Sequence, residues 1–212
     1  TLIYSVIAVI LVNVVAFFLA YLLTSGIKGQ NFFRAGFFIP NLIGGIVLSY
    51  IWLMIFNSVL SHFSKTIVST QWYAFWGLIL VVCWQQIGYM MIIYIAGIQN
   101  IPGELIEAAK IDGANSWQLL RHVTVPMLMP TITICTFLTL TNGFKLFDQN
   151  LALTGGNPGK MSELLALNIY NTMYGTTGWQ GVGQAKAVIF FILVAIIAVA
   201  QNKLTTSKEV QD

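Results

Sequence analysis

Five long apolar runs limit what this chain can fold into. They cover 2–23, 37–56, 74–98, 128–144 and 185–201. A helix needs about 20 mostly apolar residues to cross the hydrocarbon core of a bilayer, and each run approaches or exceeds that length. Apart from Lys186 at the start of the last run, none of them contains a charged side chain. The sequence therefore predicts an all-α, polytopic membrane protein with five visible spans.

The composition supports this prediction and excludes several other classes of protein. Only 8% of the 212 residues are charged, whereas a soluble domain carries about 25%. The mean hydropathy is +0.79. So few charges do not cover the surface of a water-soluble globule, which excludes a soluble enzyme, a nucleic-acid binder and a disordered chain.

The distribution of basic residues predicts the orientation, because Lys and Arg favour the cytoplasmic side. If the 100–127 loop is cytoplasmic, the basic residues inside are Lys28, Arg34, Lys110, Arg121, Lys203 and Lys208. Those outside are Lys65, Lys145, Lys160 and Lys186, so the 145–184 loop is an outer loop. The chain then begins on the outer face. Because it also lacks an initiator Met, we expect at least one upstream span of undetermined length to be missing.

The 100–127 loop has the pattern of two short helices joined at a glycine. Pro102 suits the first turn of a helix, where its missing N–H would be unpaired in any case. Gly113 suits a left-handed residue that stops this helix. Asn115 or Ser116 can cap a second helix, and Asn115 with Gln118 approximates a capping box. Pro126 then ends or kinks that helix before the next span.

One face of the first of these helices carries unusually small side chains. Leu105, Ala108, Ala109 and Asp112 share this face, and alanines there allow another protein surface to approach closely. Glu107 lies nearby. An alternative is an amphipathic helix that lies in the membrane interface. That alternative explains the apolar face but not its small residues.

The same loop carries a motif of a known family. Glu107-Ala108-Ala109 is followed after three residues by Gly113 and, after nine more, by Val-Thr-Val-Pro at 123–126. This pattern resembles the EAA motif of the membrane permease subunits of type I ABC importers, the MetI-like permeases. The family has Ile-x-Leu-Pro where this chain has two valines, a conservative departure.

A second motif lies in the outer loop. Phe147-Asp148 is followed by Leu-Thr-Gly-Gly-Asn-Pro at 153–158. This stretch is similar to the Phe-Asp and Leu-Thr-Gly-Gly-Gly-Pro elements of the carbohydrate-uptake branch of that family, with Asn157 in place of one glycine. The resemblance extends over essentially the whole chain.

The resemblance implies a MetI-like permease core, which normally has six spans, and an importer driven by separate subunits. The 100–127 loop would form a coupling helix that docks on a cytoplasmic ABC ATPase dimer. The docking residues would be Glu107, Ala108, Ala109, Asp112, Gly113 and Ala114. The other expected partners are a second permease, usually a different chain, an extracytoplasmic sugar-binding protein and membrane lipid, in a bacterial-type cell membrane.

No catalytic site or cofactor is expected in this chain itself. It contains no phosphate-binding Gly-x-x-x-x-Gly-Lys-Ser/Thr motif, so ATP and Mg²⁺ would bind to the partner ATPase. His62 and His122 lie far apart in sequence without nearby carboxylates, and no metal site is predicted.

A sugar path needs polar groups that match hydroxyls and aromatic rings that stack on the apolar face of a sugar. The candidates are Thr139, Asn142, Phe144, Phe147, Asp148, Tyr170 and Tyr174. The alternative is that they make ordinary interhelical hydrogen bonds and interfacial aromatic contacts. Under the same alternative Lys145 and Asp148 would pair with each other. We expect Glu163 to be solvated and Lys186 to extend its ammonium to the interface.

Other functions remain open on the sequence alone. An intramembrane enzyme or proton-coupled transporter would need ionisable residues within its spans, and the five runs contain no Asp, Glu, Lys, Arg or His apart from Lys186, which argues against both. A permease for another polar solute, such as glycerol phosphate, would favour Arg or Lys inside the path. A non-ABC membrane channel or scaffold is the remaining alternative. The particular sugar, and whether two like or unlike permeases pair, are not determined by the sequence.

Overall fold

The structure, a computed structural model, describes residues 1–206 and is built from α-helices. The three longest are α1 (Leu2–Thr24), α4 (Gln71–Gln99) and α11 (Gln180–Thr206). Long apolar runs without proline propagate these helices, because each further residue adds one backbone hydrogen bond. A polar cap starts α4, where Thr70 Oγ1 accepts a 3.3 Å hydrogen bond from the Tyr73 amide.

Shorter helices complete the chain. They are α2 (Gln30–Phe38), α3 (Gly45–Ser61), α5 (Gly103–Ile111), α6 (Ser116–Leu119), α7 (Val125–Met127), α8 (Met129–Phe144), α9 (Asp148–Leu153) and α10 (Leu165–Tyr174). A 3₁₀ turn at Ile39–Leu42 follows α2, and a π-helical turn at Leu120–Thr124 joins α6 to α7.

Among residues 1–206, three helices are long and apolar enough to cross a bilayer. These are α1, α4 and the last helix, and the total rises to five if each of two bent helix pairs forms one span. One pair joins α2 and its 3₁₀ turn to α3 at 100°, and the other joins the 116–127 segment to α8 at 68°. The number of five spans therefore stays a prediction that depends on these bent pairs.

The sequence predicts one helical span at 37–56, but the structure shows two helical segments joined by a sharp bend. The predicted single helix is wrong. The chain turns between α2 and α3 at Ile43 and Gly44, whose backbones are extended with ψ of 129° and 140°. Pro40 opens the turn, and its ring removes a backbone donor that a continuous helix would need. Hydropathy did not reveal this break, because the run 37–56 is apolar on both sides of it.

Two other predicted boundaries also move. The last helix begins at Gln180, so the polar residues before position 185 are already helical. The 145–184 loop contains α9 and α10 in addition to irregular chain. Lys208, counted above on the cytoplasmic side, lies outside the described residues.

The interior forms where α1 packs between α4 and α8. Ala8, Ala16 and Ala20 are almost fully buried on α1, and such small side chains allow helices to approach closely. Asn13 joins all three helices. Its Nδ2 donates to Thr139 Oγ1 at 2.8 Å, and its Oδ1 accepts from the Tyr94 hydroxyl at 2.9 Å.

The backbones of α4 and α2 approach each other very closely at Gly88. A Cβ built on Gly88 would lie 1.8 Å from the carbonyl oxygen of Phe37 and 2.9 Å from the Cα of Phe38. Only glycine fits there, so α4 holds the C-terminal end of α2, next to the bend, in place.

Candidate functional site

The first candidate site is the elbow between α5 and α6, where the sequence predicts two helices joined at a glycine. Gly113 has a φ of +81°, a conformation that residues with a Cβ adopt with strain. The Gln118 amide donates to Asn115 Oδ1 at 2.9 Å, and the Asn115 amide donates to Gln118 Oε1 at 2.8 Å. The glycine elbow and the capping box are confirmed.

A shallow groove of about 290 Å³ lies on this elbow. Its lining residues are Ala109, Asp112, Gly113, Ala114, Gln118, His122 and Val123. Four of the six predicted docking residues therefore share one groove. The other two, Glu107 and Ala108, are exposed on α5 beside it.

Two large apolar side chains near the elbow were missed by the sequence analysis. Ile111 is 85% exposed and Trp117 is 67% exposed. Large side chains this exposed in an otherwise polar loop favour an interface with another protein or with the membrane. Their positions beside Gly113 in the sequence were a usable signal.

The second candidate site is a polar cleft of about 320 Å³ beside the bend between α2 and α3. It is lined by Asn41, Gln85, Gln86, Asn142, Lys145, Leu146, Phe147, Asp148 and Gln149. Three of the predicted path residues, Asn142, Phe147 and Asp148, meet there. Gln85 and Gln86 were missed, although two adjacent glutamines within an apolar run were a readable signal.

A chain of side-chain amides ties this cleft to the bend. Gln149 Nε2 donates to Gln85 Oε1 at 2.6 Å, and Gln85 Nε2 donates to the Ile43 carbonyl at 3.0 Å. The carbonyl at the broken end of the 3₁₀ turn thereby gains the partner that a continuous helix would have given it. The bend and the polar lining therefore form one structure that connects α4, α9 and the turn.

Within residues 1–206, Lys145 and Asp148 do not form the ion pair that was weighed as an alternative to a role in the path. Both residues line the cleft, yet within residues 1–206 neither takes part in an ion pair. Lys145 and Asp148 are also both exposed, which permits water to solvate each charge separately. Their formal charges sum to zero, so the lining as a whole is polar and electrically balanced.

A ladder of aromatic rings leads away from the cleft. The ring centroids of Phe147 and Tyr170 are 5.1 Å apart, and those of Tyr170 and Tyr174 are also 5.1 Å apart. Exposure rises along the ladder, from half-buried Phe147 to 43% for Tyr170 and 73% for Tyr174. The structure thus brings these three predicted path residues together.

The two remaining candidates, Thr139 and Phe144, lie inside the bundle. Thr139 is 2% exposed and Phe144 is 1% exposed. Thr139 Oγ1 donates to the Cys135 carbonyl at 2.7 Å and accepts the bond from Asn13. For Thr139 these contacts are the interhelical hydrogen bonding that the sequence analysis weighed as its alternative.

Replacing Thr139 with valine is expected to destabilise the folded protein by about 0.6 kcal/mol, because it removes one interhelical hydrogen bond. The solute concentration that gives half-maximal uptake should not change. Thr141→Val is the control, since Thr141 Oγ1 bonds only carbonyls of its own helix. Thermal unfolding in detergent measures the difference between the two variants. A shift in apparent solute affinity without a shift in stability would instead assign Thr139 to the path.

The second sequence motif has a structural explanation. Asn150 Nδ2 donates to Thr154 Oγ1 and to the Ser162 carbonyl, both at 2.9 Å, while its Oδ1 accepts from the Leu164 amide at 2.8 Å. This buried network closes the 154–162 loop on the end of α9. Gly155 and Gly156 supply its positive φ angles, which explains two of the glycines in the motif.

The predictions for Glu163 and Lys186 also need correction. Glu163 is half-buried and accepts hydrogen bonds from the side-chain amides of Asn168 and Asn171, so it is not merely solvated. Lys186 Nζ donates to Asn168 Oδ1 at 2.9 Å and to Thr172 Oγ1 at 2.7 Å, so its ammonium is held by α10. Within residues 1–206 no three His, Cys, Asp or Glu side chains gather as a metal site requires.

An all-helical bundle with bent helix pairs, an exposed elbow and a polar cleft is the architecture expected of a polytopic transport permease. The chain belongs to the family of binding-protein-dependent transport system inner membrane components, which it matches over residues 13–207. The predicted family and the all-α, MetI-like permease fold are confirmed. The chain is accordingly a membrane subunit of an importer that works with a binding protein.

Individual relatives support the assignment. The chain is 48% identical to the probable starch degradation products transport system permease protein AmyD of Thermoanaerobacterium thermosulfurigenes, covering 98% of this chain and 74% of AmyD. It is 35% identical to the multiple sugar-binding transport system permease protein MsmF of Streptococcus mutans, covering 93% and 71%. A solved bacterial ABC transporter that imports the acidic polysaccharide alginate has the same fold, with a TM-score of 0.85 over 97% of this chain and 76% of that chain at 17% identity.

Proposed function

We propose that this chain is the permease subunit of an ATP-driven importer for sugars, with the polar cleft and the aromatic ladder as part of the solute path. The observation that carries the proposal is the juxtaposition of a cleft rich in side-chain amides with three neighbouring aromatic rings. Amides both donate and accept hydrogen bonds, as sugar hydroxyls require. Aromatic rings offer faces to the apolar side of a pyranose.

The balance of charge in the cleft favours a neutral solute over a phosphorylated one. A phosphate group is best held by several Arg or Lys side chains or by backbone amides. Here one cation, Lys145, shares the lining with one anion, Asp148. Glycerol phosphate is therefore the weaker candidate. The names of AmyD and MsmF, which refer to starch degradation products and multiple sugars, also favour a sugar.

Movement of the spans would be driven through the elbow. In this proposal the groove on the elbow and the exposed side chains beside it bind a cytoplasmic ATPase. The contact would use Glu107, Ala108, Ala109, Asp112, Gly113 and Ala114. A rigid elbow fixed by the capping box would transmit the displacement of the ATPase to α8 through the 120–128 segment.

In this proposal, other subunits bind ATP, complete the path and deliver the sugar. A dimer of ATPase chains would bind ATP and Mg²⁺, so this chain would hold no cofactor and catalyse no reaction. A second permease, of different sequence, would complete the path, and an extracytoplasmic binding protein would deliver the sugar. The assembly would lie in a bacterial-type cell membrane with several spans of this chain crossing it.

The proposed function is tested by reconstituting the purified complex in vesicles. We expect uptake of a labelled linear oligosaccharide of glucose only when ATP is supplied on the cytoplasmic side of the membrane and the binding protein on the outer side. Uptake without ATP would indicate a channel. ATP-driven uptake of glycerol phosphate but of no sugar would support the alternative solute.

Replacing Tyr170 with leucine is expected to raise the sugar concentration for half-maximal uptake by up to about tenfold, because the ladder loses its middle ring. Tyr170→Phe keeps the ring and is the matched control, with near-normal uptake expected. Vesicle uptake measured against sugar concentration checks both variants. Equal uptake by the leucine and phenylalanine variants would remove the ladder from the path.

A further inference from the structure

Lys186 occupies an unusual place at the boundary of the last span. It lies two turns into α11, where the polar residues of the loop give way to an apolar run, and it is half-buried. Its ammonium has three N–H donors, of which two bond Asn168 and Thr172. The two carboxylate oxygens of nearby Glu163 are each bonded to an asparagine amide, and no carboxylate among residues 1–206 forms an ion pair with Lys186.

A hollow of about 200 Å³ opens beside this ammonium, between α10 and α11. Its lining residues are Leu165, Asn168, Ile169, Lys186, Ile189, Phe190 and Leu193. Lys186, Ile189, Phe190 and Leu193 follow one another at helical spacing on one face of α11. The cation thus lies at the loop end of an apolar strip that continues for about 10 Å into the span.

We propose that this hollow binds an anionic phospholipid, with the phosphate on Lys186 Nζ and the upper part of an acyl chain against Ile189, Phe190 and Leu193. A phosphate oxygen would accept the third N–H and supply the negative charge that the cation lacks as a direct partner. The apolar walls favour a ligand with a hydrocarbon chain, which neither a free phosphate nor a sugar has. This inference is independent of the transported solute.

The position of the hollow supports a lipid as its occupant. The apolar window of α11 is the least covered of the three long helices, with 6% of it buried by the rest of the chain. Lys186 lies where the apolar run begins, which is the depth at which lysine side chains meet lipid headgroups. The acyl chain of a neutral lipid would pack against the apolar walls equally well. The proposal therefore predicts a preference for anionic over neutral headgroups.

The test uses the intact transporter, freed of lipid in a neutral detergent and incubated with equal amounts of phosphatidylglycerol and phosphatidylcholine. Native mass spectrometry counts the lipids that each complex retains. We expect the wild type to retain phosphatidylglycerol preferentially. Lys186→Gln should lower the ratio of retained phosphatidylglycerol to phosphatidylcholine by about fivefold. Lys160→Gln, which changes an exposed lysine of the preceding loop, should leave the ratio unchanged.

A second variant tests the contribution of the apolar walls separately from that of the cation. Leu193→Trp would fill the hollow and keep Lys186, so the number of retained lipids of both kinds should fall. An unchanged ratio in Lys186→Gln would overturn the proposal. If that variant does not yield a monodisperse complex, unchanged lipid retention in Leu193→Trp overturns it instead. Efficient crosslinking of an Ile189→Cys variant to the second permease in membranes would also overturn it, because protein would then cover the hollow.

Discussion

Replacing Gly88 with alanine is expected to prevent the permease from folding stably. The new methyl group would lie 1.8 Å from the Phe37 carbonyl oxygen, and this obstacle is backbone that does not rotate away. Separating α4 from α2 would also disturb the bend and the cleft beside it. We expect a loss of about 3 kcal/mol or more, because overpacking against backbone exceeds the usual cost of an added methylene. The yield of monodisperse protein and its melting temperature in detergent measure the effect.

The matched control is Gly36→Ala. Gly36 lies in α2, next to Phe37, but a Cβ there has no heavy atom within 4 Å. Alanine should be neutral or stabilise α2 by up to about 1 kcal/mol. If Gly88→Ala folds as well as Gly36→Ala, the close approach between α4 and the end of α2 does not hold the bend.

Uptake should be abolished by Gly113→Val, with insertion into the membrane retained. The φ of +81° at Gly113 penalises any side chain by about 1–2 kcal/mol, and a β-branched one by more. No heavy atom lies within 4 Å of a Cβ at this position, so the effect would come from a redirected elbow and not from a clash. Gly103→Val is the control, since Gly103 is equally open and has no positive φ. ATP-driven uptake and copurification of the ATPase are the two measurements.

Reversing the charge of Glu107 tests the same docking surface without changing the backbone. Glu107→Lys is expected to abolish uptake, because the exposed carboxylate would lose a charge-assisted contact to the ATPase. Glu104→Lys, one turn earlier on the same helix, should retain most of the activity. If the ATPase copurifies equally with wild type, Gly113→Val and Glu107→Lys, the assignment of the elbow as a docking element is wrong.

Local features of the fold were predictable from sequence because they depend on neighbouring residues. The capping box of Asn115 and Gln118 spans four residues, and the left-handed turn at Gly113 is a property of a single residue. The long apolar runs gave α1 and α4 to within three residues at each end. In these cases the backbone finds its hydrogen-bond partners within one or two helical turns.

The break at 43–44 was not predictable, because its stability comes from residues distant in sequence. The Ile43 carbonyl is bonded by Gln85, which is itself bonded by Gln149. A hydropathy scan finds apolar residues both before and after the bend within the run 37–56 and so does not mark the break. Likewise, Phe144 and Phe147 have similar neighbours along the chain, yet one is buried in the bundle and the other lines the cleft.

By itself the sequence determined the helical class, the glycine elbow and the family, because hydropathy, backbone conformation and motif spacing are all properties of contiguous residues. Only the tertiary structure decided which polar side chains join helices and which line a cavity. Thr139 and Asn142 are both polar residues of α8, but Thr139 meets Asn13 in the interior and Asn142 reaches the cleft. The two residues are three apart and lie on nearly the same face of α8, so the difference comes from which neighbour each meets at its own level along the helix. The packing of the whole bundle decides this.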